Sequence, residues 1–366
     1  MTYKVSYVDF PKQYALQREE IIEAFDQTMA EGKYILGETV QQFEKNFAKL
    51  CNTKYAVSVA NGTDALILSL KALGIGPSDE VITVSNSWIS SASSIALVGA
   101  TPIFVDVRQD QNVDPYKMGH VVTPNTRAII PVHLTGKCAD MDPIIQFAQN
   151  HNLSVIEDAA QAAGAKYKGK MAGSMGQLGC FSLHPLKNLN GAGDGGIIVT
   201  NDKQLTLKLK LLRNHGLESR DKVVFWGHNS RLDTIQAAIL NCRLARLSQV
   251  IEKRRQFAEI YRSKLKHLVY CPEDMPDCYD AYHLFVIQTP LRDALKEYLK
   301  TKKIQTSIHY SIPIHLQPCA MYLGYKTGDF PNVENQSKQI LSMPMHNGLL
   351  QEEVEWVAET SAGFFQ

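Results

Sequence analysis

The stretch Phe181-Ser182-Leu183-His184-Pro185-Leu186-Lys187-Asn188-Leu189 sets one amine among apolar neighbours, just ahead of a glycine-rich turn. A lysine partly withdrawn from water loses proton affinity, and the neutral amine that results is the form that makes Schiff bases with carbonyls. A surface loop lysine would look the same in sequence. The apolar run Leu153–Ile156 leads into Glu157-Asp158-Ala159-Ala160-Gln161. Two acids at the end of a buried strand are costly unless a positive partner compensates. Asp158 and Gln161, three apart, face one side if a helical turn starts there; capping a helix is the plainer use. Asn61-Gly62-Thr63-Asp64 follows the run Tyr55–Val59 and opens a helical pattern. Glycine there lets backbone approach a ligand, and free amides at a helix start attract phosphate, although Asn61 or Thr63 serves equally as an ordinary cap. Trp88, in Ser85-Asn86-Ser87-Trp88, either stacks on a flat ring or fills a helix–sheet interface.

These stretches share one placement: each follows a strand-like run. Such runs are Tyr55–Val59, Val81–Val84, Pro102–Val107, Arg127–His133, Leu153–Glu157 and Cys180–Leu183, with helical patterns at Thr63–Leu73, Ser90–Val98 and Asp142–Asn150 between several of them. Short β-branched runs alternating with helices predict an α/β fold with a mostly parallel sheet covered on both faces. In such sheets ligands sit beyond the carboxyl ends of the strands. Gly196–Thr200 follows Leu183 after a glycine-rich turn and no helix, which suits an antiparallel neighbour. Gly191-Ala192-Gly193-Asp194-Gly195-Gly196 matches G-x-G-x-x-G but leads into that strand rather than a helix, so a dinucleotide site is rejected. Residues 16–32 and 38–50 read as amphipathic helices. A helical pattern from Leu232 to Leu265 is expected to bridge to a smaller α+β domain with strands His283–Gln288 and Ile304–Ile308 and helices Leu291–Thr301 and Glu352–Ser361. The expected division is 1–250 for the large domain and 251–366 for the small one.

Of the 366 residues, 45% are apolar and 20% charged, and the net charge of +1 gives no pull toward nucleic acid or an anionic membrane. The clusters Lys253-Arg254-Arg255 and Lys302-Lys303 read as solvated helix faces. No apolar run approaches the ~18 residues of a membrane span, and Met1–Phe10 lacks an export-signal pattern. The cysteines at 51, 138, 180, 242, 271, 278 and 319 form no CxxC pair, so neither a disulfide framework nor a metal site is indicated. A reduced, cytoplasmic protein is expected.

In chain order, Asn61-Gly62-Thr63, Asp79-Glu80-Val81-Ile82, Glu157-Asp158-Ala159-Ala160-Gln161, Phe181-Ser182 with Lys187-Asn188, Asp194-Gly195-Gly196, Gly227-His228-Asn229-Ser230-Arg231-Leu232-Asp233 and Gln236-Ala237-Ala238 resemble the DegT/DnrJ/EryC1/StrS family of sugar aminotransferases. The resemblance runs to Ser342-Met343-Pro344-Met345. It implies a fold-type-I pyridoxal 5′-phosphate enzyme, aspartate-aminotransferase-like, with a seven-stranded sheet in the large domain. By the same resemblance Lys187 forms the Schiff base with the cofactor and shuttles the proton. Asp158 pairs with the pyridine nitrogen, Gln161 hydrogen-bonds near the ring hydroxyl, and Trp88 stacks on the ring. Gly62, Thr63 and Ser182 hold the phosphate, and Asn229 reaches it from the neighbouring subunit of a homodimer. The implied reaction is a ping-pong transfer from an amino acid, glutamate by resemblance, to a keto-sugar. Family members acting as dehydratases carry histidine in place of the lysine, so Lys187 favours transamination.

The runs Asn86–Ser91 and Ser182–Lys187 resemble a subgroup that includes the enzyme making 8-amino-3,8-dideoxy-octulosonate for lipopolysaccharide, which points to 8-oxo-3-deoxy-octulosonate as acceptor. The alternatives are a nucleotide-linked 3- or 4-keto-hexose, a sugar dehydratase, or a cofactor-binding regulatory protein on the same scaffold. Tyr34, Arg213, His309, Tyr310 and His315 are the candidate substrate contacts.

Overall fold

A computed structural model describes residues 3–366, so Met1 and Thr2, the start of the Met1–Phe10 stretch and of the first domain range, lie outside it. Helices α1 (Phe10–Ala15), α2 (Arg18–Glu31) and α3 (Glu38–Cys51) form the N-terminal part. Gly32 ends α2 in the left-handed region at φ 65°, a conformation that costs glycine nothing. Then come β1 (Tyr55–Val59), α4 (Gly62–Ala72), β2 (Glu80–Val84), α5 (Ser90–Leu97), β3 (Thr101–Val105), β4 (Thr126–Ile129), α6 (Met141–Asn150) and β5 (Ser154–Asp158). Strands Leu178–Ser182 and Gly196–Thr200 and helix α7 (Lys203–Leu212) complete the large unit.

The seven-stranded sheet runs β1, Gly196–Thr200, Leu178–Ser182, β5, β4, β2, β3. Gly196–Thr200 is antiparallel to both neighbours, and the other pairings are parallel. Helices α4, α5 and α6 carry three of the crossovers between the parallel strands, a small hairpin in residues 159–177 lies between β5 and Leu178–Ser182, and the helix-free loop 183–195 lets the chain return antiparallel. β1, β2 and β5 are buried along nearly their whole length, as strands covered by helices on both faces must be. One face packs into a cluster around Phe43, Phe47, Phe104 and Phe181, and the other around Leu66, Leu68, Leu70 and Ile95.

The pattern at Leu232–Leu265 forms two helices, α8 (Thr234–Leu244) and α9 (Leu247–Leu265), rather than one. No Pro or Gly marks the break. The arginines flanking it are drawn to different elements, Arg243 donating to Asn190 O at 2.7 Å and Arg246 pairing with Glu20. Leu247 and Ile251 of α9 join the sheet core, whereas Phe257, Ala258, Tyr261 and Leu265 join a second core with Phe285, Leu295, Met343 and Val354. In that second unit Phe285–Gln288 pairs antiparallel with Ile340–Met343, a strand absent from the sequence reading because a short, wholly buried run ending at Pro344 has no alternation to display. The expected strand Ile304–Ile308 makes only isolated bridges, Val5 with Ile304 and Ser307 with Ser342. Among the described residues no helix is long and apolar enough to cross a membrane.

The reading of Lys253-Arg254-Arg255 as a solvated face is corrected at its middle residue. Arg254 is buried. Successive helix positions turn by about 100°, and α9 packs against both cores, so one of three adjacent cations has to point inward.

Candidate active site

The carboxyl ends of β1, β2, β5 and the Leu178–Ser182 strand open onto one region, and the chemistry-bearing stretches lie there. Asp158 is the last residue of β5 and is buried. Its Oδ2 accepts from Ser91 Oγ at 2.6 Å and its Oδ1 from the Ala160 amide at 3.2 Å. Ser87 Oγ donates in turn to Ser91 Oγ at 2.9 Å, so the start of α5, braced by the loop after β2, holds the carboxylate of β5. Neither serine figured among the expected site residues; the signal available was the serine-rich start of α5.

Strand alternation sends the neighbouring acid to the other face. Glu157, fully buried, accepts from the Gly173 and Met175 amides at 2.7 and 2.6 Å and from His133 Nε2 at 2.8 Å. His133 Nδ1 takes the Ala139 amide proton at 3.1 Å, which leaves Nε2 as the donor. Glu157 is therefore satisfied by N–H dipoles and not by the cation that two buried acids were expected to need.

Lys187 stands in the turn after Ser182. Its backbone donates to His184 O at 2.8 Å, Asn188 Nδ2 donates to Ala281 O at 2.7 Å, and Asn190 Nδ2 to Pro185 O at 2.7 Å, which fixes the turn on both sides. The residue is half-buried, but its amine end is enclosed by protein. Burial pushes the amine down to about 8, against the pull of the Asp158 carboxylate, which favours the charged form. In the apoprotein, labelling of Lys187 by an amine reagent is expected to rise with pH up to about 8 and then level off, because the neutral fraction saturates there. A labelling rate that still climbs toward about 10.4, the ordinary lysine value, would show an unperturbed amine; peptide mass spectrometry reads the rate.

Gly62 begins α4, and Asn61 caps it by accepting the Asp64 amide at 2.8 Å. A Cβ at Gly62 would lie 2.8 Å from Ser182 Cβ, so only glycine lets the helix start approach that strand end. Among the described residues the Gly62 and Thr63 amides donate to nothing, as first-turn amides do. Thr63 Oγ1 and Ser90 Oγ lie 2.7 Å apart. These groups form an anion cup. Gln161, buried, accepts the Thr135 amide at 2.7 Å. Tyr310 lies beside Asp158 and Gln161, its phenol raised by burial first and the nearby carboxylate second. Its ring meets Trp88 at 5.8 Å between centroids. His309 lines a pocket with Lys187 and accepts or donates at Ser342 Oγ, 2.8 Å away.

Three expected substrate contacts, Arg213, His315 and Tyr34, lie elsewhere; Asn229 was expected to act from the neighbouring subunit. Arg213 is buried and pairs with Glu44, also donating to Ser58 O at 2.8 Å; it ties α7 to α3 and β1 and is no substrate contact. Glu44→Ala, by stranding that guanidinium, is expected to cost roughly 3–5 kcal/mol in urea unfolding; a change under about 1 kcal/mol would mean solvent compensates the charge. His315 is likewise buried, 2.5 Å from Ser85 Oγ through Nδ1 and 3.2 Å from Glu334 through Nε2. Both of its ring nitrogens are spent on structure. Tyr34 is 48% exposed and gives only its carbonyl, to the Thr234 amide at 2.9 Å. Asn229 is exposed, bridged by backbone to Asn214.

An enclosed amine, a buried carboxylate facing it, an aromatic side chain and a glycine-lined anion cup fit a flat, phosphorylated, aldehyde-bearing cofactor. A model of the DegT/DnrJ/EryC1/StrS aminotransferase family matches residues 15–361. The chain is 41% identical to a pleiotropic regulatory protein of Geobacillus stearothermophilus, over 99% of each chain. It is 40% identical to a dTDP-3-amino-3,4,6-trideoxy-alpha-D-glucose transaminase of Streptomyces venezuelae, over 94% of this chain and 92% of that one. The crystal structure of S. venezuelae DesV in complex with a ketimine intermediate superposes with a TM-score of 0.97 at 38% identity, covering 100% of this chain and 99% of that one. The chain therefore belongs to the DegT/DnrJ/EryC1/StrS aminotransferase family and is a pyridoxal 5′-phosphate-dependent sugar aminotransferase.

Proposed function

We propose that this enzyme moves an amino group from glutamate to the keto carbon of a nucleotide-linked 3-oxo-hexose, working as a homodimer with a shared active site. The observation that carries the catalytic reading is the enclosed Lys187 amine paired in charge with Asp158 at the strand ends. Bound there, pyridoxal phosphate supplies an aldehyde that takes an amine and a ring that accepts an electron pair. Asp158, held by Ser91, would present its carboxylate to the ring nitrogen. Lys187, neutral above about 8, is the base that takes and returns the substrate proton. Gly62, Thr63 and Ser182 would hold the phosphate, Trp88 would cover a ring face and Gln161 would lie near the ring hydroxyl. His309 and Tyr310 border the space left for substrate.

The dimer reading is supported by an unpartnered apolar surface: Ile22, Phe25 and Met29 on α2 are 41%, 48% and 46% exposed, and Trp226 is 94% exposed. Ile22, Phe25 and Met29 recur at helical spacing on one face of α2, and apolar exposure of this kind marks interaction surfaces. Asn229 lies three residues after Trp226 and is itself exposed, so it stands where a partner subunit covering Trp226 could be reached. The dTDP-linked sugar in the name of the Streptomyces relative supports a nucleotide-linked acceptor over free 8-oxo-3-deoxy-octulosonate, whose support is limited to the runs Asn86–Ser91 and Ser182–Lys187.

The test is a panel of keto-sugars offered to the pyridoxamine form of the holoenzyme. A dTDP- or UDP-linked 3-oxo-hexose is expected to restore the yellow colour and yield an amino-sugar by mass spectrometry. Restoration by the octulosonate alone would overturn the acceptor, and no turnover with any keto-sugar would leave a cofactor-binding regulator.

A further inference from the structure

One pocket reaches Lys187 from the small-domain side, lined by Tyr7 of the N-terminal arm, Arg254 of α9, His283 and His309. No acidic side chain lines it. Arg254 is buried without a carboxylate partner among the described residues: Nη1 donates to Tyr282 O, His283 O and Met345 O at 3.0, 3.1 and 2.9 Å, and Nε to Asn347 Oδ1 at 3.2 Å. Carbonyl dipoles satisfy the Nη1 hydrogens but do not neutralise the charge, and burial presses the guanidinium down to about 10. Its Nη2 donates to nothing among the described residues. Two further polar groups are unpartnered. Tyr7 Oη sits beside the Ser342 hydroxyl without hydrogen-bond geometry, and His283, 7% exposed, has no partner at Nδ1. A buried polar atom left without a partner costs about 1–3 kcal/mol, so several of them converging beside an unpaired cation indicate a ligand that is itself polar and negative.

We infer that this pocket is a carboxylate subsite: Arg254, Tyr7 and His283 grip a carboxylate of the molecule reacting at Lys187. The inference rests on the transaminase reading and deepens it. Both an amino-acid donor and an acidic sugar carry the required group. The surroundings fit the assignment: burial first, then the charges of Lys187 and Arg254 with lesser contributions from His309 and His184, press His283 toward its neutral form, and an anion placed among them relieves the repulsive part.

The test is calorimetric titration of the holoenzyme with glutarate, a donor-like dicarboxylate without an amine, and separately with glucuronate. Saturable binding of glutarate alone supports a donor subsite, and of glucuronate alone an acceptor subsite; both together support a shared one. In each case Tyr7→Phe is expected to weaken binding about tenfold, the loss of one hydrogen bond to a charged group, and Arg254→Gln to weaken it further. Tyr7 Oη has no hydrogen bond to lose, so Y7F decides the matter if R254Q fails to fold. No saturable binding of either acid, or binding that Y7F leaves unchanged, overturns the subsite. Borohydride trapping on Lys187 in the same preparation keeps the two readings apart: trapped cofactor without acid binding sinks the subsite alone, and untrapped cofactor sinks the transaminase reading.

Discussion

Lys187→Arg is expected to abolish amino transfer while leaving the protein folded. The substitution keeps a cation opposite Asp158, but a guanidinium stays protonated at any working pH, so neither a nucleophilic amine nor a proton acceptor remains. Proton transfer by a positioned side chain contributes about 10²–10⁴-fold, and loss of the covalent attachment adds to that. The rate of the glutamate half-reaction, read from bleaching of the visible band, should fall by at least about 10³-fold. Borohydride should attach no cofactor to the peptide containing residue 187. A variant that transfers nitrogen at the native rate would remove Lys187 from the chemistry altogether. Circular dichroism accompanies the measurement, since Asn188 and Leu189 beside position 187 are buried.

Asp158→Asn carries the second large effect. Asparagine is nearly isosteric and can still accept from Ser91, whose hydroxyl lies 2.6 Å from the native Oδ2. What it cannot do is place a full negative charge against the ring nitrogen. Removing one partner from a buried ion pair costs roughly 3–5 kcal/mol, equivalent to about two to four decades in rate if the loss falls on the transition state. The fall should appear in kcat for both half-reactions, since each needs the ring as an electron sink. Wild-type turnover in D158N would mean that the carboxylate serves only as a brace for Ser91. The two substitutions also differ in a diagnostic way: D158N should retain the borohydride-trapped adduct that K187R loses.

The architecture was readable because its rules are local. β-branched runs separated by helical periods give most of the parallel crossovers, and the helix-free, glycine-rich link 183–195 gives the reversal at Gly196–Thr200. The residues that react were readable for a related reason: strand ends face the ligand region of such a sheet, so Asp158, Gln161, Ser182 and Lys187 are brought together by register. Arg213 and His315 were not readable, because an arginine or histidine in a loop looks alike whether it meets substrate or, as here, Glu44 and Glu334. The same holds for the break at Ala245 and Arg246, and for the strand Ile340–Met343, which exists only because Phe285–Gln288 lies beside it.

By itself, then, the chain determined the order of strands and helices and which side chains stand at their reactive ends, since propensity, period and strand-end placement act within a few residues. Only the tertiary structure decided which cations turn inward. Arg254 sits between two exposed-looking neighbours, yet it is buried beside Lys187 because α9 packs against two cores at once. That choice is made by surfaces hundreds of positions apart in the sequence, from Tyr7 to Met345, and no local pattern encodes it.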